Sequence, residues 1–141
     1  MFKKLKHGVP TARLDFLREV PMLSGLPDKV LARIDQHVDE VEVPAGRTLT
    51  VEGTRAYEAF IVVEGVAEVR IGDELIRQTT RGEMIGEIGI LEHTERTATV
   101  TATTPMHLLV INPRDVEWLF DDATLAARVQ ENLVRHHNNV R

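Results

Sequence analysis

The sequence predicts a mainly β protein: an antiparallel β-roll of the jelly-roll kind, with two N-terminal and two C-terminal helices. Three observations lead there. The apolar period is helical up to His37, drops to two from Val38 to Ile111, and turns helical again at Asn112. Turn pairs such as Glu52-Gly53, Glu64-Gly65, Gly72-Asp73 and Arg81-Gly82 cut the middle into short pieces. Most of those pieces have no helix between them, which excludes a parallel sheet with crossover helices.

Each element has its own signal. From Ala12 to Val20, Leu14 and Leu17 recur at helical spacing among charged neighbours, and Pro21 ends the run. Met22 to Pro27 reads as a turn. Pro27 then suits the first turn of a second helix that carries Val30, Leu31 and Ile34 on one face. Strands follow at Val38–Val43, Thr48–Val51, Ala59–Val63, Val66–Ile71, Leu75–Thr79, Thr97–Ala102 and His107–Ile111. Gly72-Asp73 is the best hairpin, because glycine takes the positive φ of a two-residue turn. Asn112 is an N-cap and Pro113 a first helical residue, for a helix over Pro113–Phe120 that buries Val116, Leu119 and Phe120. Asp121-Asp122 starts a last helix with Leu125, Val129 and Leu133 on one stripe. The expected layout is one domain over 1–141, with helices at about 10–37, the roll at about 38–111 and the closing helices at about 113–139. Met1 to Gly8, with three of the four lysines, reads as a solvated tail.

Composition removes several functions. There is no cysteine, so thiolate metal sites, disulfides and cysteine nucleophiles are out, and Ser24 is the only serine. The six histidines never take a His-x-His spacing, and His136-His137 point to different helix faces, so no metal centre is expected. No apolar run approaches the ~20 residues of a membrane helix. A cytoplasmic, non-enzymatic protein is therefore expected. The net charge of −5 argues against holding a polyphosphate by bulk field.

The unusual segment is Gly82 to Val100, GEMIGEIGILEHTERTATV, too rich in glycine for a strand. Gly86 and Gly89 leave backbone amides accessible, and Glu87 to Leu91 has the length for one helical turn. A helix start after a glycine holds anions, because its first amides have no internal partner. Arg96 adds a planar fork for two phosphate oxygens, while Glu87 suits a hydroxyl donor. An anion grip beside a hydroxyl acceptor suggests a ribose phosphate. The same residues also read as plain turns and an ion pair, and pattern alone leaves both open.

This segment resembles the phosphate-binding cassette of the cyclic nucleotide-binding domain. That module is shared by the bacterial catabolite activator protein, cAMP-dependent kinase regulatory subunits and cyclic nucleotide-gated channels. The resemblance rests on Ile85-Gly86-Glu87-Ile88-Gly89-Ile90-Leu91 followed by Glu95-Arg96-Thr97-Ala98. It extends to Met22–Leu26 and to Gly46–Gly65. It implies that Glu87 accepts from the ribose 2′-hydroxyl and that Gly86 and Ile88 offer backbone contacts. Arg96 would pair with the cyclic phosphate, Thr97 bond a phosphate oxygen and Ala98 donate its amide. Ile85 stands where many members have phenylalanine, a change in packing rather than chemistry. Gly89 and Glu95 resemble the bacterial activator's sensor domain, which favours cAMP; Thr97 accompanies cGMP preference in some eukaryotic members.

The resemblance further implies a receptor. Phosphate binding would shift the short helix Glu87–Leu91, the helix Pro113–Phe120 would follow, and the helix from Asp122 would close as a lid over the base. Candidate lid contacts are Arg135, Asn138 and Asn139, which also read as frayed terminal residues in solvent. No helix-turn-helix follows the last helix, so direct DNA binding is not expected and the partner is a protein effector. The stripe Leu125, Val129, Leu133 fits either a second copy or the roll of its own subunit; a monomer or weak homodimer is expected. The alternatives are a roll with a vestigial pocket serving as an interaction module, and a cGMP-selective receptor.

Overall fold

The computed structural model describes residues 3–4, 10–86 and 95–140. The chain opens with a short strand β1 (Lys3–Lys4), helix α1 (Pro10–Glu19), a 3-10 helix over Pro21–Leu23 and helix α2 (Asp28–Asp35). Strands β2 (Val38–Val43), β3 (Thr48–Thr50), β4 (Ala59–Glu64), β5 (Ala67–Ile71), β6 (Glu74–Thr79) and β7 (Met84–Ile85) follow. After β8 (Thr99–Ala102) and β9 (Met106–Ile111) come a 3-10 helix over Pro113–Val116, helix α3 (Trp118–Asp121) and helix α4 (Ala123–Val140).

The strands form two antiparallel sheets, ordered β1-β2-β9-β4-β7 and β3-β8-β5-β6. This is the β-roll with flanking helices that the change of period predicts. Alternation decides which side of the five-stranded sheet each residue serves. Val41, Val43, Phe60, Val62 and Leu108 fill the roll between the sheets. Val38, Ile61 and Leu109 point the other way, onto Leu17, Leu31 and Ile34 of the N-terminal helices. The inner strand β4 is buried on both faces, and so it reads as the unbroken run Ala59 to Val62. Each fully buried Leu, Ile or Phe contributes roughly 1.5–3 kcal/mol over leaving it exposed.

Three details differ from the sequence reading. The N-terminal segment is not wholly a solvated tail: Lys3 and Lys4 pair with Glu42 and Val41. An outer strand leaves a row of amides and carbonyls, and even two residues of extended chain satisfy part of it. The predicted helix Pro113–Phe120 is a 3-10 turn followed by the short α3. Asn112 accepts from the Arg114 amide at 3.0 Å, and its carbonyl accepts from the Asp115 amide at 3.0 Å, the tighter i→i+3 bond. Asp122 has extended backbone and accepts from the amides of Thr124 (2.9 Å) and Leu125 (3.1 Å), so α4 starts at a true N-cap. Strand β8 begins only at Thr99; the carbonyl of Ala98 before it accepts from the Thr50 hydroxyl of β3.

The N-terminal helices are bolted to the five-stranded sheet by a polar network. Arg13 pairs with Asp35 and, at 3.0 Å, with Glu40, whose other oxygen meets His107 Nε2 at 3.1 Å. Burial opposes the Arg13 charge, but the bonds from Asp35 and Glu40 outweigh it and hold its pKa above the ordinary value.

Candidate functional site

The site lies where β4 begins and β7 ends. Strand β7 pairs with β4, Ile85 opposite Phe60 and Met84 opposite Ile61, and stops at Gly86. Gly86 has φ +83°, a left-handed conformation that favours glycine. Ile85 itself is buried in the roll core, so its side chain serves packing.

Arg96 reaches this point from the other side of the cassette. Its backbone is pinned first: Arg55 and Glu95 form an isolated antiparallel bridge. The Arg96 amide donates to Thr54 O at 2.7 Å, and the Gly53 amide donates to Arg96 O at 2.9 Å. The side chain then turns inward, 7% exposed. Nη1 donates to Gly86 O at 3.1 Å and Nη2 to Glu58 O at 2.7 Å. The absence of a side chain at Gly86 makes this seat: a Cβ there would sit 2.3 Å from Arg96 Nη1.

The strand that follows is held from β3 and from the β5–β6 turn. Thr50 Oγ1 donates to Ala98 O at 3.0 Å, and Thr99 Oγ1 accepts from the Glu52 amide at 2.9 Å. The Glu52 carboxylate accepts in turn from the Gly72 amide at 2.8 Å. Thr97 is exposed and Ala98 half-buried beside this frame. Sequence reasoning singles out none of Thr50, Glu52, Glu58 and Thr99. Glu58 acts through its carbonyl, Thr50 and Thr99 through hydroxyls on strands, and Glu52 through its amide and carboxylate, none of which a motif marks.

Of the predicted site residues, the structure therefore brings Gly86 and Arg96 together and sets Thr97 and Ala98 directly after the arginine. Glu87, Ile88 and the short helix Glu87–Leu91 lie outside the described residues. So do the side chains of Arg135, Asn138 and Asn139, whose backbone belongs to α4. In the stripe of α4, Leu125 and Val129 pack into the helix-side core of their own subunit, while the Leu133 side chain is outside the described residues. Among the described residues no three His, Cys, Asp or Glu side chains are grouped to hold a metal ion. No described helix is long and apolar enough to cross a membrane.

Chemically, the arrangement places a guanidinium at the end of a β-roll with carbonyl oxygens among its partners. Carbonyls satisfy N–H geometry but carry only partial negative charge. A full anion with two oxygens in the plane of the fork would bind it more strongly.

Comparison with known proteins bears on that arrangement. A 91-residue stretch is 36% identical to a cAMP-dependent protein kinase regulatory subunit from Mycosarcoma maydis, covering 62% of this chain and 17% of that one. The chain spans about a fifth of the length of the curated relatives it matches, 17%, 24% and 22% of three of them. Among solved structures, the regulatory domain of Toxoplasma gondii PKA with cAMP aligns with TM-score 0.78 at 17% identity, over 92% of this chain and 50% of that one. The regulatory subunit of a cAMP-independent protein kinase A from Trypanosoma cruzi, bound to guanosine, aligns with TM-score 0.76 at 26% identity, over 89% of this chain and 45% of that one. The model of the cyclic nucleotide-binding domain matches residues 40–123, more than half of the chain and the whole stretch from β2 through the cassette to the start of α4. By that match the chain belongs to the cyclic nucleotide-binding domain family.

Proposed function

We propose that this chain is a cyclic nucleotide receptor that takes cAMP in the cassette Gly86–Ala98 and signals through α4 to a protein effector. The observation that carries the reading is Arg96: a nearly buried guanidinium seated against Gly86 at 3.1 Å, at the two cassette positions where the family places its phosphate grip. On binding, Arg96 exchanges carbonyl oxygens for phosphate oxygens. The Thr97 hydroxyl and the Ala98 amide complete the phosphate shell, while Glu87 accepts from the ribose hydroxyl and Gly86 and Ile88 contribute main-chain contacts. The similarity to cAMP-dependent kinase regulatory subunits favours cAMP over cGMP and a regulatory over a catalytic role.

Release of the carbonyls of Gly86 and Glu58 is the conformational trigger. Gly86 directly follows β7 and Glu58 directly precedes β4, so their loss of a donor changes what holds the cassette to the roll. The closed arrangement then gains population in proportion to the ligand's preference for it.

Isothermal titration of the nucleotide-free protein with cAMP, cGMP and guanosine tests the reading. One-to-one binding of cAMP, tighter than cGMP, is the expected result. Tighter cGMP makes Thr97 the selecting group, and guanosine alone would place this chain with nucleoside-binding relatives. No heat with any of the three, from folded protein, leaves an interaction module with a vestigial pocket. Prolonged incubation with cAMP should yield no AMP.

A further inference from the structure

The outer strand of the four-stranded sheet is open on one side. Among the described residues β6 pairs with β5 and with no other strand, so it presents a row of amides and carbonyls to a further strand. Edge strands are commonly guarded by charge, yet this one reads Glu74-Leu75-Ile76-Arg77-Gln78-Thr79, with Leu75 46% and Ile76 44% exposed.

Register explains why two apolar neighbours surface together. Thr79 lies opposite Ala67 and Arg77 opposite Val69, but Leu75 lies opposite Arg70 and Glu74 opposite Ile71. Ile76 is therefore the extra residue of a β-bulge. Opposite residues share a face, and the side chains of β5 alternate. Glu74 and Arg77 thus stand on one face, that of Val69, which packs against the roll core. In a regular strand, residues three apart would lie on opposite faces.

The bulge makes this strand complementary to itself. Two copies related by a two-fold axis perpendicular to the sheet pair antiparallel, and every facing pair occurs twice. An axis between Leu75 and Ile76 requires Glu74 and Arg77 on one face, which the bulge supplies. Each copy's Glu74 then faces the other's Arg77, and each Leu75 the other's Ile76. Arg77 keeps donors for this: both of its bonds leave from Nη1, to Glu83 at 2.7 Å and to Gln78 O at 3.5 Å. Glu74 is exposed and makes no ion pair among the described residues. A strand from another protein would need no such symmetry of acid, two apolar residues and base. The other surface for a second copy, the stripe of α4, already covers its own subunit with Leu125 and Val129.

We infer that β6 is a homodimer interface, at which two copies pair edge to edge and join their four-stranded sheets into one continuous sheet. The inference goes beyond the receptor reading and does not depend on it.

Sedimentation equilibrium of the full chain, carried to about 1 mM, should show a reversible monomer–dimer equilibrium. Amide exchange along β6 should slow as concentration rises, because pairing protects the open row. Glu74→Arg, on an exposed side chain that cannot threaten the core, should weaken the dimer by about tenfold, since the two-fold axis counts each reversal twice. Arg77→Glu should do the same, and an equimolar mixture of the two variants should dimerise like wild type, each facing pair being again one acid and one base. Should Arg77→Glu fail to fold beside Glu83, Leu75→Lys replaces it, with the same expected loss. Val134→Lys, on an exposed position of α4, should leave the dimer unchanged.

A chain that stays monomeric to about 1 mM overturns the inference and leaves the edge to a strand of another protein. So does a dimer that Glu74→Arg and Leu75→Lys leave intact, or one that Val134→Lys dissociates.

Discussion

Two places in this molecule use the same device and differ in one atom group. At the end of the roll, Arg96 is 7% exposed and donates to the carbonyls of Gly86 and Glu58; at the helical side, Asn132 is 8% exposed and donates to those of Met22 and Ser24. Each side chain ties two main-chain carbonyls, and each has a positive-φ glycine beside it: Gly86 at +83° and Gly25 at +81°. The difference is charge. The amide of Asn132 is neutral, so two carbonyls satisfy it and the seat is structural. The guanidinium carries a full charge, and the planar fork that meets these two carbonyls also has the geometry to take two oxygens of an anion.

The largest expected effect breaks the charged seat. Arg96→Ala should lower cyclic nucleotide affinity by about two powers of ten, in line with roughly 1.5–3 kcal/mol for a hydrogen bond to a charged group. Titration calorimetry reads it directly, and undiminished binding would show the phosphate site to be elsewhere.

Next come the two glycines, which share a φ and differ in space. Gly86→Ala places a Cβ 2.3 Å from Arg96 Nη1, whereas a Cβ at Gly25 meets nothing within 4 Å. Both should suffer backbone strain of roughly 1–2 kcal/mol in chemical denaturation. Only Gly86→Ala should also lose ligand, because only there is a working side chain displaced. Equal ligand loss in the two variants would mean that strain, not the arginine seat, governs binding.

A smaller effect concerns the neutral seat itself. Asn132→Leu leaves the Met22 and Ser24 carbonyls without this donor and should cost about 1–3 kcal/mol, partly offset by added apolar burial. A melting temperature at or above wild type would show the apolar gain to be the larger.

The smallest effect lies beside that seat, where α1 and α2 flank the turn. Arg18 Nε donates to Asp28 Oδ1 at 3.0 Å, and this bond holds the Asp28 carboxyl below its ordinary pKa. A depressed carboxyl adds stability above its unfolded pKa and loses it as pH falls through the folded one. Carbon-detected NMR titration should therefore find Asp28 titrating higher in Arg18→Gln than in wild type, with little change in melting, since the pair is exposed. Identical titration curves would mean that the bond is absent in solution.

Much of the fold was legible in the chain because period is a local property. The change from helical spacing to alternation at Val38 and back at Asn112 needs no partner to be visible. Asp122 as a helix start is similarly local, since its carboxylate bonds amides two and three residues on. The limits of β8 and the break between Pro113–Val116 and α3 were not legible. They depend on which carbonyls and hydroxyls from other strands, or from a competing i→i+3 bond, reach that backbone.

The candidate site divides in the same way. Glycine, glutamate and arginine at cassette spacing are a property of the chain, so Gly86, Glu87, Arg96, Thr97 and Ala98 could be named before any coordinate. That Arg96 rests on Gly86 O and Glu58 O, and that Gly86 must lack a Cβ to allow it, depends on a contact across 38 residues between Arg96 and Glu58. Asn132 is the extreme case. By itself it is one polar residue on a helix, unmarked by motif or charge, and its acceptors are main-chain carbonyls 110 and 108 residues away. Sequence determines residue type and local period, and so the sheet, the helices and the cassette. Only packing decides which backbone oxygen a donor meets, because every residue offers the same carbonyl and the sequence has no letter for it.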